Sequence, residues 1–401
     1  MSTGLKLGRW CGIELTADWS WTLVFALVTW NQSAVFSSWH PEWKVGTSLF
    51  VALIAAASFF ASVVVHELGH ALIARTFRIR VRRVHLFLFG GVSNIEREPP
   101  SPYSEFLMAL GGPLASLLLG LVLLLAGTAH AVVPSIDPQR PWNALAGLDP
   151  LSSILVWLGP MNIALAVFNL IPGFPLDGGR LLRAVIWSVT RDLQSATRWA
   201  SSVGQALGWS FVVLGIVTIF GAHVPFFGRA FIGGLWLAII GLFLSLAAEQ
   251  SYRRVLVQSL LESIVVGQTM RRHFVGAPAG MMDSEGVSAE FMQSHERALP
   301  DAEEDPVFSL VSSGNLPRIR EESGSSSMRV SEIMTPASRL IVIAPEDNLD
   351  EALGKLTQNG VEQLPVVTEG HLVGMLDRRD LARWIELQVE PAPAPERVRA
   401  H

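Results

Sequence analysis

Residues 63–74 read VVVHELGHALIA, with His66 and His70 four positions apart and Glu67 between them. On an α-helix, positions i and i+4 share a face, so the two imidazoles can converge on one ion. Glu67 lies beside that face. It can reach a water molecule polarised by a metal without being a ligand itself. Zinc takes imidazole nitrogens readily, and a catalytic site leaves one coordination position open for water. The competing reading is a histidine pair hydrogen-bonded between packed helices. In an apolar setting that reading also needs a buried glutamate with no cation beside it. An ionised group there costs about 2.5–3.5 kcal/mol even on the gentler insertion scale, which makes function the default.

A third protein ligand is required, and FNLIPGFPLDGGR (residues 168–180) offers Asp177. His70 lies five residues before Arg75, the first charge after its apolar stretch, and Asp177 lies three before Arg180. At about 1.5 Å per residue this puts both groups at similar depth, roughly one turn inside a membrane boundary. A helix cap or a turn residue is the alternative for Asp177. Pro172 and Pro175 remove backbone donors and Gly173, Gly178 and Gly179 loosen the same stretch, so a helix must break there. Broken backbone inside a membrane needs protein or a water-filled cavity around it, and a hydrolase needs water. The Asn169 amide, just ahead of the break, can bind substrate backbone or simply tie two helices. VHLFLFGGVSNI (Val84–Ile95) reads as a hairpin around Gly90-Gly91. Its edge can receive an extended substrate by strand addition, or it is a plain connector.

The elements that carry these groups follow from composition. Half of the 401 residues are apolar, 16% are charged, and the net charge is −5; mean hydropathy is +0.39. This balance excludes disorder, a coiled coil and a nucleic-acid binder. Cys11 is the lone cysteine, so no internal disulfide framework, redox pair or cysteine-rich zinc site is available. Residues 1–250 hold 27 charged side chains and residues 251–401 hold 38. That shift reads as a membrane domain followed by a soluble one, with a boundary near Gln250–Arg254. Six stretches have the length and apolarity to span a bilayer: Trp19–Trp39, Val45–Ala74, Phe106–Val133, Leu151–Leu176, Trp199–Val224 and Ala230–Ala248. Asn31 and Gln32 interrupt the first. Arginines after the second stretch, between the fourth and fifth (Arg180, Arg183, Arg191, Arg198) and after the sixth put both termini in the cytoplasm.

Together, HELGH (66–70), FLFGG (87–91), GGPLAS (111–116) and NLIPGFPLDGG (169–179) resemble the site-2 protease family of intramembrane zinc metalloproteases. The resemblance implies one zinc per chain held by His66, His70 and Asp177, Glu67 as general base, and substrate contact through Asn169 and the Gly90-Gly91 hairpin. It also implies substrates that are transmembrane segments of regulatory proteins. No PDZ-like insertion interrupts the helices, so the chain resembles the six-helix, bacterial-type members with a cytoplasmic tail.

The second half carries an internal repeat. VSEIM (330–334) matches VGQTM (266–270), and LPVVTEGHLVGMLDRRDL (364–381) matches LPDAEEDPVFSLVSSGNL (299–316). This resembles a pair of cystathionine-β-synthase (CBS) domains, a module that often binds adenine nucleotides. Copies that bind nucleotide usually have Ser or Thr followed three residues later by Asp. The second copy has Asp377 and Asp380, so Asp377 repels a phosphate; the first has Ser312 and Asn315, without the ribose carboxylate. A dimerising module is therefore favoured over a nucleotide sensor. Ser323–Ser327 reads as a flexible link, and 391–401 as a disordered tail.

The expected architecture is an all-α membrane domain of six transmembrane helices with a small membrane-associated β-hairpin over 1–252. A cytoplasmic α/β CBS pair follows over 253–390, its copies at about 261–320 and 328–388. The expected function is intramembrane zinc endopeptidase. A CBS-gated transporter or channel, or an inactive protease homologue, are the alternatives; neither a transporter nor a channel explains Glu67 beside His66 or the break at PLDGG.

Overall fold

The computed structural model of the chain describes residues 4–10, 12–79, 81–87, 90–95, 99–131, 143–221, 231–272, 298–300, 309–312, 335–336 and 339–389. The fold divides into two units, Met1–Arg253 and Arg254–His401.

The first unit opens with strands β1 (Leu5–Trp10) and β2 (Ile13–Ala17), then helix α1 (Trp19–Trp39), capped by Asp18, whose carboxylate accepts from the Ser20 N–H. Helix α2 (Val45–Thr76) leads into strands β3 (Val81–Phe87) and β4 (Gly90–Ile95). Helix α3 (Pro102–His130) starts from a Ser101/Ser104 capping box with proline at its first position, where the missing donor costs nothing. Then come α4 (Asn143–Ala146), α5 (Pro150–Asn169, capped by Asp149), α6 (Asp177–Thr190), α7 (Leu193–Ile219, capped by Asp192) and α8 (Phe231–Ser263).

Among the described residues five helices are long and apolar enough to cross a bilayer: α2, α3, α5, α7 and α8. The count of six expected above is therefore not met by that measure. Trp19–Trp39 is one helix, but two threonines, four serines, Asn31 and Gln32 dilute it. The fourth expected stretch is also cut short. It stops at Asn169, and a new helix starts at Asp177 after the two prolines. The last runs on beyond Ala248 to Ser263, so the boundary expected near Gln250–Arg254 falls inside a helix. An i,i+4 pair, Arg253 to Glu249, bridges the polar turn, and Val255 and Leu261 are buried beyond it.

The expected hairpin is half of a four-stranded sheet in the order β1-β2-β3-β4. β2 runs parallel to β3, with Glu14 opposite Arg83 and Ala17 opposite Leu86, and β3 pairs antiparallel with β4 from Phe87–Gly90 to Val81–Ile95. Gly90 and Gly91 begin the β4 strand instead of forming the turn. The buried side of the sheet (Ile13, Leu15, Ala17, Val81, Val84, Leu86) packs with Ala71 and Ala74 of α2 and Met108 of α3. The sheet is thus seated against the helix that carries the two histidines.

In the second unit a short helix α9 (Val266–Thr269) is followed by strands β5 (Ala298–Pro300), β6 (Ser309–Ser312) and β7 (Thr335–Pro336), which form one sheet. Helix α10 (Leu349–Asn359), the antiparallel pair β8 (Gln363–Thr368) and β9 (His371–Asp377), and helix α11 (Arg378–Val389) follow. Leu261, Val266, Ile343, Leu349, Leu356, Leu364, Leu376 and Leu381 form its core. Asn315, the Ser323–Ser327 link and the 391–401 tail lie outside the described residues.

Candidate metal centre

His66 and His70 project from the same face of α2, and both are buried, 4% and 6% exposed. Asp177 is the first residue of α6, where the exposed N–H groups and the helix dipole favour an anion. Its Oδ2 lies 3.1 Å from Nε2 of His66 and 3.1 Å from Nε2 of His70, and the two Nε2 atoms are 3.2 Å apart. These three atoms form the one group of three or more metal-type ligands found among the described residues. The structure brings the three expected positions together, across 111 residues of chain.

The outer ring nitrogens decide what the inner ones can do. Nδ1 of His70 is 2.7 Å from the Met108 carbonyl. A carbonyl oxygen only accepts, so Nδ1 carries the hydrogen and Nε2 presents a lone pair. Nδ1 of His66 meets the Ser116 hydroxyl at 2.9 Å. Both supports come from α3, and the GGPLAS string contains Ser116 and Gly112. A side chain on Gly112 would put its Cβ 2.2 Å from Nε2 of His70 and 2.6 Å from Nε2 of His66. Only glycine lets α3 come this close.

Two outward-anchored imidazoles and a carboxylate are a zinc donor set. Ligand atoms about 2.0–2.1 Å from a tetrahedral ion stand roughly 3.3 Å apart, close to the edges observed here. Three ligands leave one vertex for water or substrate. Glu67 is buried at 9% exposure, next to His66 and outside the ligand triangle.

Asp177 reaches this position because α5 ends and the chain folds back. Residues Leu170–Leu176 carry the break, and Gly178 allows it: a Cβ there would stand 2.2 Å from the Ile171 carbonyl. Asn169, half-buried, donates its Nδ2 to the Leu165 carbonyl of its own helix at 3.0 Å and does not join the triangle. Gly90 and Gly91 lie on β4, a strand at one end of the sheet order.

Three features escaped the sequence. Ser116 and the Met108 carbonyl act through geometry alone, although the GGPLAS string flagged the segment. Strands β1 and β2 were missed because the partner that completes their sheet, β3, lies far along the chain. Arg183, read above as a loop charge, is 5% exposed and bound to Glu105 of α3, which is fully buried.

With this geometry in view, the comparisons identify the class. The model of "Peptidase family M50" matches residues 54–140 and 132–211, and the CBS domain model matches 330–387. The chain is 30% identical to the provisionally named zinc metalloprotease sll0528 of Synechocystis sp., over 96% of each chain. It is 29% identical to the provisionally named zinc metalloprotease Rip3 of Mycobacterium tuberculosis, over 98% of this chain and 96% of that one. The zinc metalloprotease MJ0392 of Methanocaldococcus jannaschii shares 26% identity over 82% and 84% of the two chains. The chain belongs to peptidase family M50, the site-2 protease family, and carries a CBS domain. It is a multi-pass membrane zinc metalloprotease. Nothing in the comparisons supports the transporter or channel reading.

Proposed function

We propose that this zinc metalloprotease cuts peptide bonds inside the bilayer, in transmembrane segments of membrane-bound regulatory proteins. In this reading His66, His70 and Asp177 hold one zinc ion and Glu67 is the general base. The observation that carries it is the near-equilateral triangle of Nε2, Nε2 and Oδ2 atoms, with edges of 3.1–3.2 Å, two of its corners on the apolar helix α2. When bound, zinc supplies Lewis acidity, which polarises the scissile carbonyl and makes nearby water more acidic. Glu67 takes a proton from the attacking water and delivers it to the amide nitrogen as the C–N bond breaks. Ser116 and the Met108 carbonyl keep both imidazoles aimed at one point.

A helical substrate hides its peptide bonds in its own hydrogen bonds and must be unwound before attack. Asn169 and the β4 strand with Gly90 and Gly91 are the groups we assign to receiving the extended segment, by strand addition at the end of the sheet. The non-helical Leu170–Leu176 segment supports a water path, since its backbone groups need polar partners. Zinc content and cleavage measured together test the site. Glu67→Gln retains zinc and loses cleavage, whereas His66→Ala loses zinc; full zinc in His66→Ala overturns the assignment.

Both termini are assigned to the cytoplasm. The arginines after α2, between α5 and α7, and toward the end of α8 support this, and so does sheet pairing. β2 and β3 are hydrogen-bonded neighbours separated by α1 and α2, so a crossing by α2 requires a return by α1. We therefore include α1 as a sixth crossing. Cys11 tests the orientation: an impermeant thiol reagent applied outside intact cells should leave it unlabelled.

The CBS copies are proposed to pair at 261–320 and 328–388, to dimerise the protein, and to respond little to nucleotides. Asp380 supports the last point, since it is held by Arg271 at 2.8 Å, and Asp377 is held by Gln363 and Arg379.

A further inference from the structure

Arg183 and Glu105 are 5% and 0% exposed in the first unit. Nε of Arg183 donates to Oε1 of Glu105 at 2.6 Å, and its Nη2 donates to the same oxygen. Stability alone is weak ground for such a pair. Well-packed apolar residues of similar volume are often as stable as a buried ion pair, because both charges must leave water. What the pair joins is more informative. Glu105 lies one turn ahead of Met108, whose carbonyl holds Nδ1 of His70. Arg183 lies six residues beyond Asp177 on α6. Its guanidinium also sits 5.5 Å from the ring centre of Phe174, inside the break between α5 and α6.

Asp177 stands at the free end of a 14-residue helix entered through a segment with two prolines. The backbone ladder does not run from α5 into α6, so the attitude of α6 must be set sideways. One guanidinium ties together the break, α6 and the turn of α3 whose Met108 carbonyl supports His70. We infer that the Arg183–Glu105 pair is the strut that holds Asp177 within reach of His66 and His70, which makes both of them positioning residues for the metal. This rests on the reading of those three residues as the metal ligands. The strut is stiff because guanidinium is planar, presents two donors to one oxygen and lies against an aromatic face. A lysine ammonium offers only a point charge on a flexible stem.

The test uses the full chain in a bilayer mimic, with Arg183→Lys and the apolar pair Arg183→Met with Glu105→Leu. Three quantities are read: zinc affinity by chelator competition, the visible spectrum of the cobalt-loaded protein, and thermal unfolding with and without metal. A merely structural pair would shift unfolding equally in stripped and loaded protein. A strut instead shrinks the metal-dependent gain, because that gain follows affinity for the folded state. The apolar pair is expected to fold, to bind zinc about tenfold more weakly or worse, and to alter the cobalt spectrum. Arg183→Lys is expected to fall between it and wild type. Wild-type zinc affinity and cobalt spectrum in the folded apolar pair overturn the strut; should that variant not fold, the same result in Arg183→Lys does so. A wild-type chain that takes up no zinc overturns the ligand reading, and the strut with it.

Discussion

His70 turns its Nδ1 onto the main-chain oxygen of Met108, 2.7 Å away. No substitution at Met108 removes that acceptor, so the tautomer of His70 is fixed by backbone. His66 has a different support, the hydroxyl of Ser116 at 2.9 Å, which a substitution can delete. The two ligands are therefore unequally protected, and the weaker one is open to experiment.

Ser116→Ala should fold and bind zinc about 10–100-fold more weakly, the usual cost of losing an outer partner of a ligating histidine. Chelator competition on purified protein measures this. Unchanged affinity would mean that His66 is oriented by packing alone.

Gly112→Ala should abolish metal binding, because its Cβ would lie 2.2 Å from Nε2 of His70. Gly46→Ala is the matched control, since a Cβ there meets nothing within 4 Å. Zinc content of the two variants should differ sharply; equal loading would show that α3 can retreat from α2 at little cost.

Glu67→Gln should keep zinc and lower cleavage about 10²–10⁴-fold, the share a positioned base contributes. A reconstituted transmembrane substrate followed by gel or mass spectrometry supplies the rate. Wild-type turnover in this variant would remove Glu67 from the chemistry.

Asp377 gives the second unit a pH dependence. Burial pushes its carboxyl up, but the Arg379 N–H, the Gln363 amide and the Arg379 guanidinium outweigh burial and hold it below the ordinary carboxylate range. A lowered native value means stability that is present above the unfolded-state pKa of about 3.9 and lost as pH falls through the native one. Hydrogen-exchange protection factors in β8 and β9, taken against the intrinsic rate at each pH, should therefore fall in acid, and Asp377→Asn should flatten that dependence.

Nucleotide should act weakly on this enzyme. A ligand shifts a conformational equilibrium only through its differential affinity for the two states. With Asp380 bound to Arg271, little such leverage is available. Calorimetric titration of the full chain with ATP and AMP, alongside cleavage assays with each, checks this; micromolar binding with a several-fold rate change would contradict it.

Much of the site was readable because its signals are local. The i,i+4 histidines needed only a helix, and the two prolines of PGFPLDGG announced the break that frees Asp177. The two distances to a first arginine brought His70 and Asp177 to one depth without any knowledge of packing. What stayed hidden depends on partners far along the chain. β2 reads as a strand only once β3 lies beside it, 69 residues later. Arg183 was counted as a loop cation because its neutralising Glu105 lies 78 residues away. The end of α8 was misplaced for a different reason. Hydropathy falls at Glu249 because polar side chains appear, while the helix itself continues, supported by ion pairing and by Leu261 in the second core.

The parallel pairing of β2 with β3 also imposes an order in time. β2 leaves the ribosome first, yet its partner follows only after α1 and α2 have been made. At about 5–20 residues per second, the 69 residues from Glu14 to Arg83 take roughly 3 to 14 seconds to synthesise. Throughout that interval Ile13, Leu15 and Ala17 have only the β1 hairpin for company. The sheet against the histidine helix can close only when the first two helices have been made. Its closure therefore requires the two ends of the α1–α2 segment to meet on one side.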